Sequence, residues 1–255
     1  MSTTTTVMRR PARILAVAAA FSLLTACGGS GSDGDKPEAS AGVPSGTLTA
    51  GQLATAVVDG SDVPDHQVGA RAAADRYKDS EVGAGQPECV VQAKVALGMT
   101  VGDPASVEQR TAMGRPPGAQ AAGTDLIKTT VTLASYKGKG KSKGEEKVLY
   151  DLGLASTACR QGFTLTVRGK ETPVLSPAQE ANPQGLDFAD EYTWFTLTGP
   201  PGIKALTRRV LVVRSGHTLG FFSRTYPGYA TDASQTNMPF PVDVARAQWK
   251  KLAAR

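Results

Sequence analysis

Two histidines, His66 and His217, are the only imidazoles in the 255 residues, so general-base chemistry would have to be built on one of them or on carboxylates alone. A Ser-His-Asp arrangement needs an imidazole held against a nucleophile. His66 falls in a loop rich in Asp and Pro, and His217 falls at a predicted hairpin turn, neither of which suits that role. The G-x-S-x-G and H-E-x-x-H patterns are also missing. Zinc would want three or four closely spaced ligands, which two distant histidines and a paired cysteine couple do not supply. The loop Asp59 to Asp65 carries three aspartates but lacks the glycine turn and closing glutamate of a helix-loop-helix calcium site. No metal and no cofactor is therefore expected, and no catalytic residue is named.

Two further clusters could bind rather than react. Gly138 to Gly144 (GKGKSKG) lies between a predicted strand and a predicted helix, the setting of a phosphate-binding loop. Its first glycine would have to stand at position 135, which is Ser135, so an exposed basic crossover loop is the expectation. Arg208, Arg209 and Arg214 with Glu191, Tyr192 and Trp194 could form a polar, aromatic ligand face; cross-strand ion pairing on the solvent side is the simpler expectation.

Charge and cysteines locate the chain. The formal charge is +5, but Arg9, Arg10 and Arg13 supply three of those charges and no carboxylate precedes Cys27, leaving +2 for the remainder. Nucleic-acid binding, which needs a clustered basic face, is not expected. A basic stretch from Met8 to Arg13, an apolar run from Ile14 to Leu24 and small residues before Cys27 make a three-part export signal over residues 1–26. Eleven apolar residues rise only about 16 Å as a helix, short of a hydrocarbon core of about 30 Å, so the segment is read as removable. Leu24-Thr25-Ala26-Cys27 resembles the lipobox of bacterial lipoproteins. That resemblance implies a diacylglyceryl thioether on Cys27, cleavage before it, acylation of the new amine and membrane lipid as a partner. Residues 27–46 then form a lipidated cysteine and a flexible linker too poor in apolar side chains to fold. With Cys27 assigned to lipid, Cys89 and Cys159 remain as an even pair in an exported domain, and a disulfide is expected.

Residues 47–255 must supply the fold. Thr49 with Gln52 forms a capping box, and Leu48 with Leu53 a staple, for a helix running to about Asp59. The run after Cys89 fits a helix or a strand equally. Leu126 to Tyr136 alternates as a half-buried strand, and Glu145 to Arg160 has helical spacing with Cys159 facing the core and Gly162 as terminator. Strands are expected at Gly162 to Val167, Glu191 to Thr198, Leu206 to Arg214 and Thr218 to Thr225, the last two joined through Ser215-Gly216-His217. Pro241 opens a final helix to Leu252, with Val242, Ala245, Trp249 and Leu252 on the face that packs on the sheet. Strands clustered in the second half with hairpin connections point to a single α+β domain, an antiparallel sheet packed by a few amphipathic helices.

With these elements placed, the segment from Leu48 to Leu252 resembles the PknH-type sensor domains of actinobacterial envelope proteins. The residues that carry the resemblance are the opening helix from Leu48 to Leu53 followed by Asp62-Val63-Pro64, the helix ending at Cys159 before Phe163, the hairpin from Arg209 to His217 and the terminal helix. The kinase ectodomains of that group carry more than one disulfide, whereas this chain can form one. The resemblance implies a cleft-bearing α+β domain that binds an envelope ligand without catalysis; with no kinase segment here, any sensing passes through a partner. The expectation is a membrane-anchored, extracytoplasmic, non-enzymatic ligand-binding or sensor-like lipoprotein. The alternative is a structural envelope lipoprotein that recruits a protein partner. The ligand-binding residues are not identifiable from sequence.

Overall fold

The computed structural model describes residues 46–115, 126–137, 144–175, 182–200, 207–226 and 238–255. The export signal, Cys27, most of the tether and the basic loop at 138–143 lie outside them. The chain is a single α+β domain. In order it forms α1 (Ala50–Ala56), β1 (His66–Ala70), β2 (Val82–Ala84), α2 (Val90–Ala96), β3 (Pro104–Gly114), β4 (Ile127–Tyr136), α3 (Gly144–Ala158), β5 (Phe163–Val167), β6 (Lys170–Val174), β7 (Glu191–Leu197), β8 (Arg208–Ser215), β9 (Thr218–Thr225) and α4 (Val242–Ala253). A six-stranded sheet in the order β1-β3-β4-β9-β8-β7 and a three-stranded sheet in the order β2-β5-β6 are antiparallel throughout. No described helix is long and apolar enough to cross a membrane.

Each face of the large sheet has its own core. On one face, Val131, Leu133, Leu211, Val213 and Phe222 meet Leu53 and Ala56 of α1 and Val244, Ala245, Trp249 and Leu252 of α4. Gly220 is the contact that lets Trp249 reach the sheet, because a Cβ there would stand 2.6 Å from Cζ3 of the indole. On the other face, Ala134, Tyr136, Phe195, Val210, Val212 and Phe221 meet α2, α3 and the inner residues Val82, Leu165 and Val174 of the small sheet. β4 is consequently buried along both sides, a correction to the half-buried strand expected from its alternation: its alternate threonines face a second covering layer rather than water.

Local signals set most boundaries. The capping box at Thr49 forms as expected, but α1 stops at Ala56, short of Asp59. Val57 turns extended there, and the Gln248 side chain of α4 accepts from the Val58 N–H at 2.9 Å and donates to the Ala56 carbonyl at 2.7 Å. The ambiguous run after Cys89 is helical, a short 3-10 turn (Pro87–Cys89) leading into α2. α3 ends at Ala158, two residues before the expected Arg160, and Gly162 takes a positive φ of 87° beyond it. Cys89 and Cys159 are bonded, their Cα atoms 5.7 Å apart across 70 residues of sequence. Closing such a loop stabilises the fold by about 4 kcal/mol in the chain-entropy model. Four strands, β1, β2, β3 and β6, were not expected. β3 eluded the alternation rule because both its faces are largely polar, Ser106, Glu108 and Arg110 on one and Gln109 and Thr111 on the other.

α2 is closed by Gly98 at φ 71° in a Schellman turn: the Met99 N–H donates to Lys94 O and the Gly98 N–H to Val95 O, both at 2.9 Å. The Gly98 carbonyl then accepts from Arg71 Nη1, Thr132 Oγ1 and Gln109 Nε2 at 2.6, 2.9 and 3.0 Å. A Cβ at this position would meet Thr130 Cγ2 at 2.5 Å. Gly98→Ala combines a left-handed penalty with overpacking and is expected to cost about 2–4 kcal/mol in chemical denaturation. A loss below about 1 kcal/mol would show that α2 can end another way.

Candidate functional site

The small sheet turns its apolar residues inward and leaves an outer face of small and polar ones. Gly83, Gly85, Thr164, Thr166 and Glu171 with Ser80, Glu81 and Gly169 line an open groove of about 560 Å³ there. That volume lies in the range of small-ligand sites, generally about 300–1,000 Å³. Its floor is low because of two glycines whose backbone does not demand glycine. A Cβ on Gly83 would sit 3.7 Å from Thr166 Cβ, and one on Gly85 3.5 Å from Thr164 Cβ, ordinary contact distances. Glu81 at the rim accepts from the Lys78 N–H at 2.8 Å and pairs with Arg168 Nε at 3.4 Å. That backbone hydrogen bond is the main reason its carboxyl titrates below its usual range, with the Arg168 charge adding to the effect. The groove therefore offers hydroxyls, carbonyls and carboxylates and no aromatic stacking surface, a lining for polar ligands.

Beside the groove, residues Arg71 to Glu81 cross from β1 to β2 as a strap with only two short 3-10 turns. Cations from four places hold it. Arg71 reaches Gly98 O and Leu97 O at 2.6 Å and also the Asp75 carbonyl. Lys128 of β4 pairs with the Asp75 carboxylate, Lys94 of α2 with Asp79 at 3.1 Å, and Arg168 donates to Arg76 O at 2.8 Å with its guanidinium 4.9 Å from the Tyr77 ring.

The opposite face holds a buried ion cluster. Arg224 is fully buried and donates to Asp243 Oδ1, to Thr129 Oγ1 at 3.0 Å and to Phe240 O at 3.1 Å. His66 opens β1 rather than lying in a loop, and its ring packs so closely on Gly114 that a Cβ there would be 2.4 Å away. Its Nε2 stands 3.9 Å from Asp243 Oδ2, and both ring nitrogens and that oxygen are buried without hydrogen-bond partners. Burial is the main cause that lowers the imidazole pKa; the Arg224 charge adds to it, while Asp243 and Asp65 oppose it. His217 is paired too, its Nδ1 2.9 Å from Oε1 of the buried Glu145 at the start of α3.

The residues singled out by sequence are dispersed. Glu191 and Arg214 form the expected cross-strand pair at 3.1 Å. Strand alternation puts Arg208 and Arg214 on one face and Arg209 on the other, where Tyr192 and Trp194 also lie, so the six residues share no ligand face. Asp59 and Asp62 hold the Lys251 ammonium at 2.6 and 2.7 Å, an amine where a cation was considered. Lys251, followed by Ser61, drives the Asp59 carboxyl well below its usual range. Among the described residues no three His, Cys, Asp or Glu side chains converge as metal ligands would. Sequence reading missed the groove and the ion clusters. The available signal was Arg224, a charge in a strand whose other residues are apolar or small.

No family model and no curated protein matches the chain. Among solved structures it is similar to the extracellular domain of PknH from Mycobacterium tuberculosis, at 10% identity with a TM-score of 0.46, covering 83% of this chain and 100% of that one.

Two measurements probe these sites. Gly83 pairs with Thr166 in the strand register, so Gly83→Thr is expected to raise stability by about 0.5–1 kcal/mol, since the fold does not need the glycine and the groove does; a drop would assign it to packing. His66 is held neutral in the fold, so it takes up its proton at lower pH than in the unfolded chain, whose value is about 6.5. The unfolded state therefore binds more protons below that value, and stability falls as pH drops from about 6.5. His66→Phe is expected to flatten this loss between pH 7 and 5 in urea melts, and parallel curves for both proteins would remove His66 from the acid response.

Proposed function

We propose that the chain is an exported, lipid-anchored lipoprotein whose folded domain binds a polar ligand without transforming it. The observation that carries the reading is the Cys89–Cys159 disulfide, buried at the junction of α2 and α3. Such bonds persist in oxidising compartments and are rare where thiols are kept reduced. The export signal and the Leu24-Thr25-Ala26-Cys27 sequence supply the route and the anchor. Two or more acyl chains at Cys27 hold a domain stably where one would bind only marginally. The domain then works within reach of the membrane surface on its outer side, and the groove over the small sheet is the place for its ligand.

The placement of the two imidazoles supports the non-catalytic part of this reading. His217 is bound to Glu145 and His66 is enclosed against Gly114, and each is explained by the packing of the element it starts or joins.

Fractionation of a lipoprotein-processing bacterium tests the anchor. The native chain is expected in the membrane fraction, with a mature mass beginning at acylated Cys27, and Cys27→Ser in the soluble extracytoplasmic fraction. Cys89 and Cys159 are expected to resist alkylation until reduced in both. A Cys27→Ser chain that stays with membranes, or mature protein bare of acyl mass, ends the lipid-anchor reading, and ready labelling of both cysteines ends the exported one.

A further inference from the structure

The end of the large sheet that α2 does not reach carries a row of three polar side chains. Lys128 of β4 is opposite Thr225 of β9, and Arg208 of β8 continues that row, one step beyond the Arg209–Arg224 pair. All three point to the same face as Phe221 and Val210, toward the strap. Neighbouring strands lie about 4.8 Å apart, so Lys128 and Arg208 flank Thr225 at about 10 Å between backbones, close enough for both long side chains to meet over its hydroxyl.

This row is short of negative charge. Asp75 is the carboxylate at hand and it is committed to Lys128. Arg71, 4% exposed, spends its guanidinium on the carbonyls of Leu97, Gly98 and Asp75. Arg208 has no ion pair among the described residues, and its Nε is buried without an acceptor, as are Arg71 Nε and Thr111 Oγ1 on the same face. Burial lowers the pKa of both guanidinium groups, Tyr77 and Asp75 opposing it at Arg208 and Asp75 and Tyr77 at Arg71. Arg208 is half-buried with its Nε enclosed, and a cation so placed with no ion pair of its own is a site where an added anion gains most.

We propose that Lys128, Thr225 and Arg208, roofed by Asp75 and Tyr77 of the strap, form a binding site for a phosphate-type oxyanion. The chemistry suits the class: a guanidinium fork for two oxygens, an ammonium as a point charge and a hydroxyl donor between them. Entry is from the strap side, where the side chains of Lys128 and Asp75 keep 20% and 36% exposure. The arriving anion competes with Asp75 for Lys128, so Asp75 tunes affinity as the resident anion. The site uses none of the groove-lining residues and does not depend on the anchor, so Gly83→Thr leaves it unchanged.

The full chain, purified in detergent, is titrated with inorganic phosphate against chloride at matched ionic strength, with heat of binding and thermal midpoint as readouts. Saturable binding and a raised midpoint are expected for the native chain. Arg208→Gln weakens binding at least tenfold, Thr225→Val weakens it about threefold with every charge kept, and Asp75→Asn tightens it about threefold. Should Arg208→Gln fail to fold, the opposed shifts of Thr225→Val and Asp75→Asn decide. Two sources of the oxyanion are separated by flotation of the Cys27→Ser chain with vesicles of phosphatidylglycerol or phosphatidylcholine. Arg208-dependent flotation with phosphatidylglycerol alone assigns a lipid headgroup; phosphate binding without flotation assigns a soluble phosphate. Phosphate acting no differently from chloride, or native and variant chains responding alike, overturns the site.

Discussion

The central constraint on this molecule is that its large sheet must be covered on both faces, and on each face one of the two covering helices is only two turns long. β3 and β4 have 11 and 10 residues, while α1 and α2 have seven each beside α4 with 12 and α3 with 15. Strands of that length run about 33 Å, whereas a seven-residue helix rises about 10 Å. Apolar burial at one end of the sheet is therefore complete, and the other end is closed by whatever backbone passes over it. On the α2 side that backbone is the strap from Arg71 to Glu81, whose two 3-10 turns satisfy only some of its carbonyls.

The distribution of buried charge follows from this. Irregular backbone under cover needs donors, and long cationic side chains can supply several from one anchor point. Arg71 serves the carbonyls at the end of α2, and Arg168 serves Ala74 and Arg76 from the turn between β5 and β6. Arg224 does the same on the other face for Phe240, just before α4. The polar interior is thus the consequence of short helices on a wide sheet, and the disulfide is its complement. It joins α2 and α3, the two helices that share the cramped face, where the apolar area of seven-residue α2 alone would hold little.

The groove has a related origin. The small sheet spends its inner residues on the shared core, and its outer face is left with glycine and threonine, which bury little and leave a depression. β5, the middle strand beneath the depression, is hydrogen-bonded on both sides.

Sequence by itself determined the elements whose signal is local. The capping box at Thr49, the β8–β9 hairpin, α3, α4 and the cysteine pairing could all be read, because each is specified by a few residues within one turn or one strand. The proposed export signal and anchor at Cys27 rest on the sequence alone, because they are read from residue types and spacing rather than from the fold. Tertiary structure alone decided the rest. β3 became a strand because β1 and β4 flank it, although neither of its faces alternates, and α1 stopped early because Gln248, 190 residues away from Val58, takes over its hydrogen bonds. The cations, His66 and the groove depend on contacts between residues far apart in sequence. The physical reason is that local propensity records what a segment can do alone, while a buried charge or a depression exists only in relation to the neighbours that enclose it.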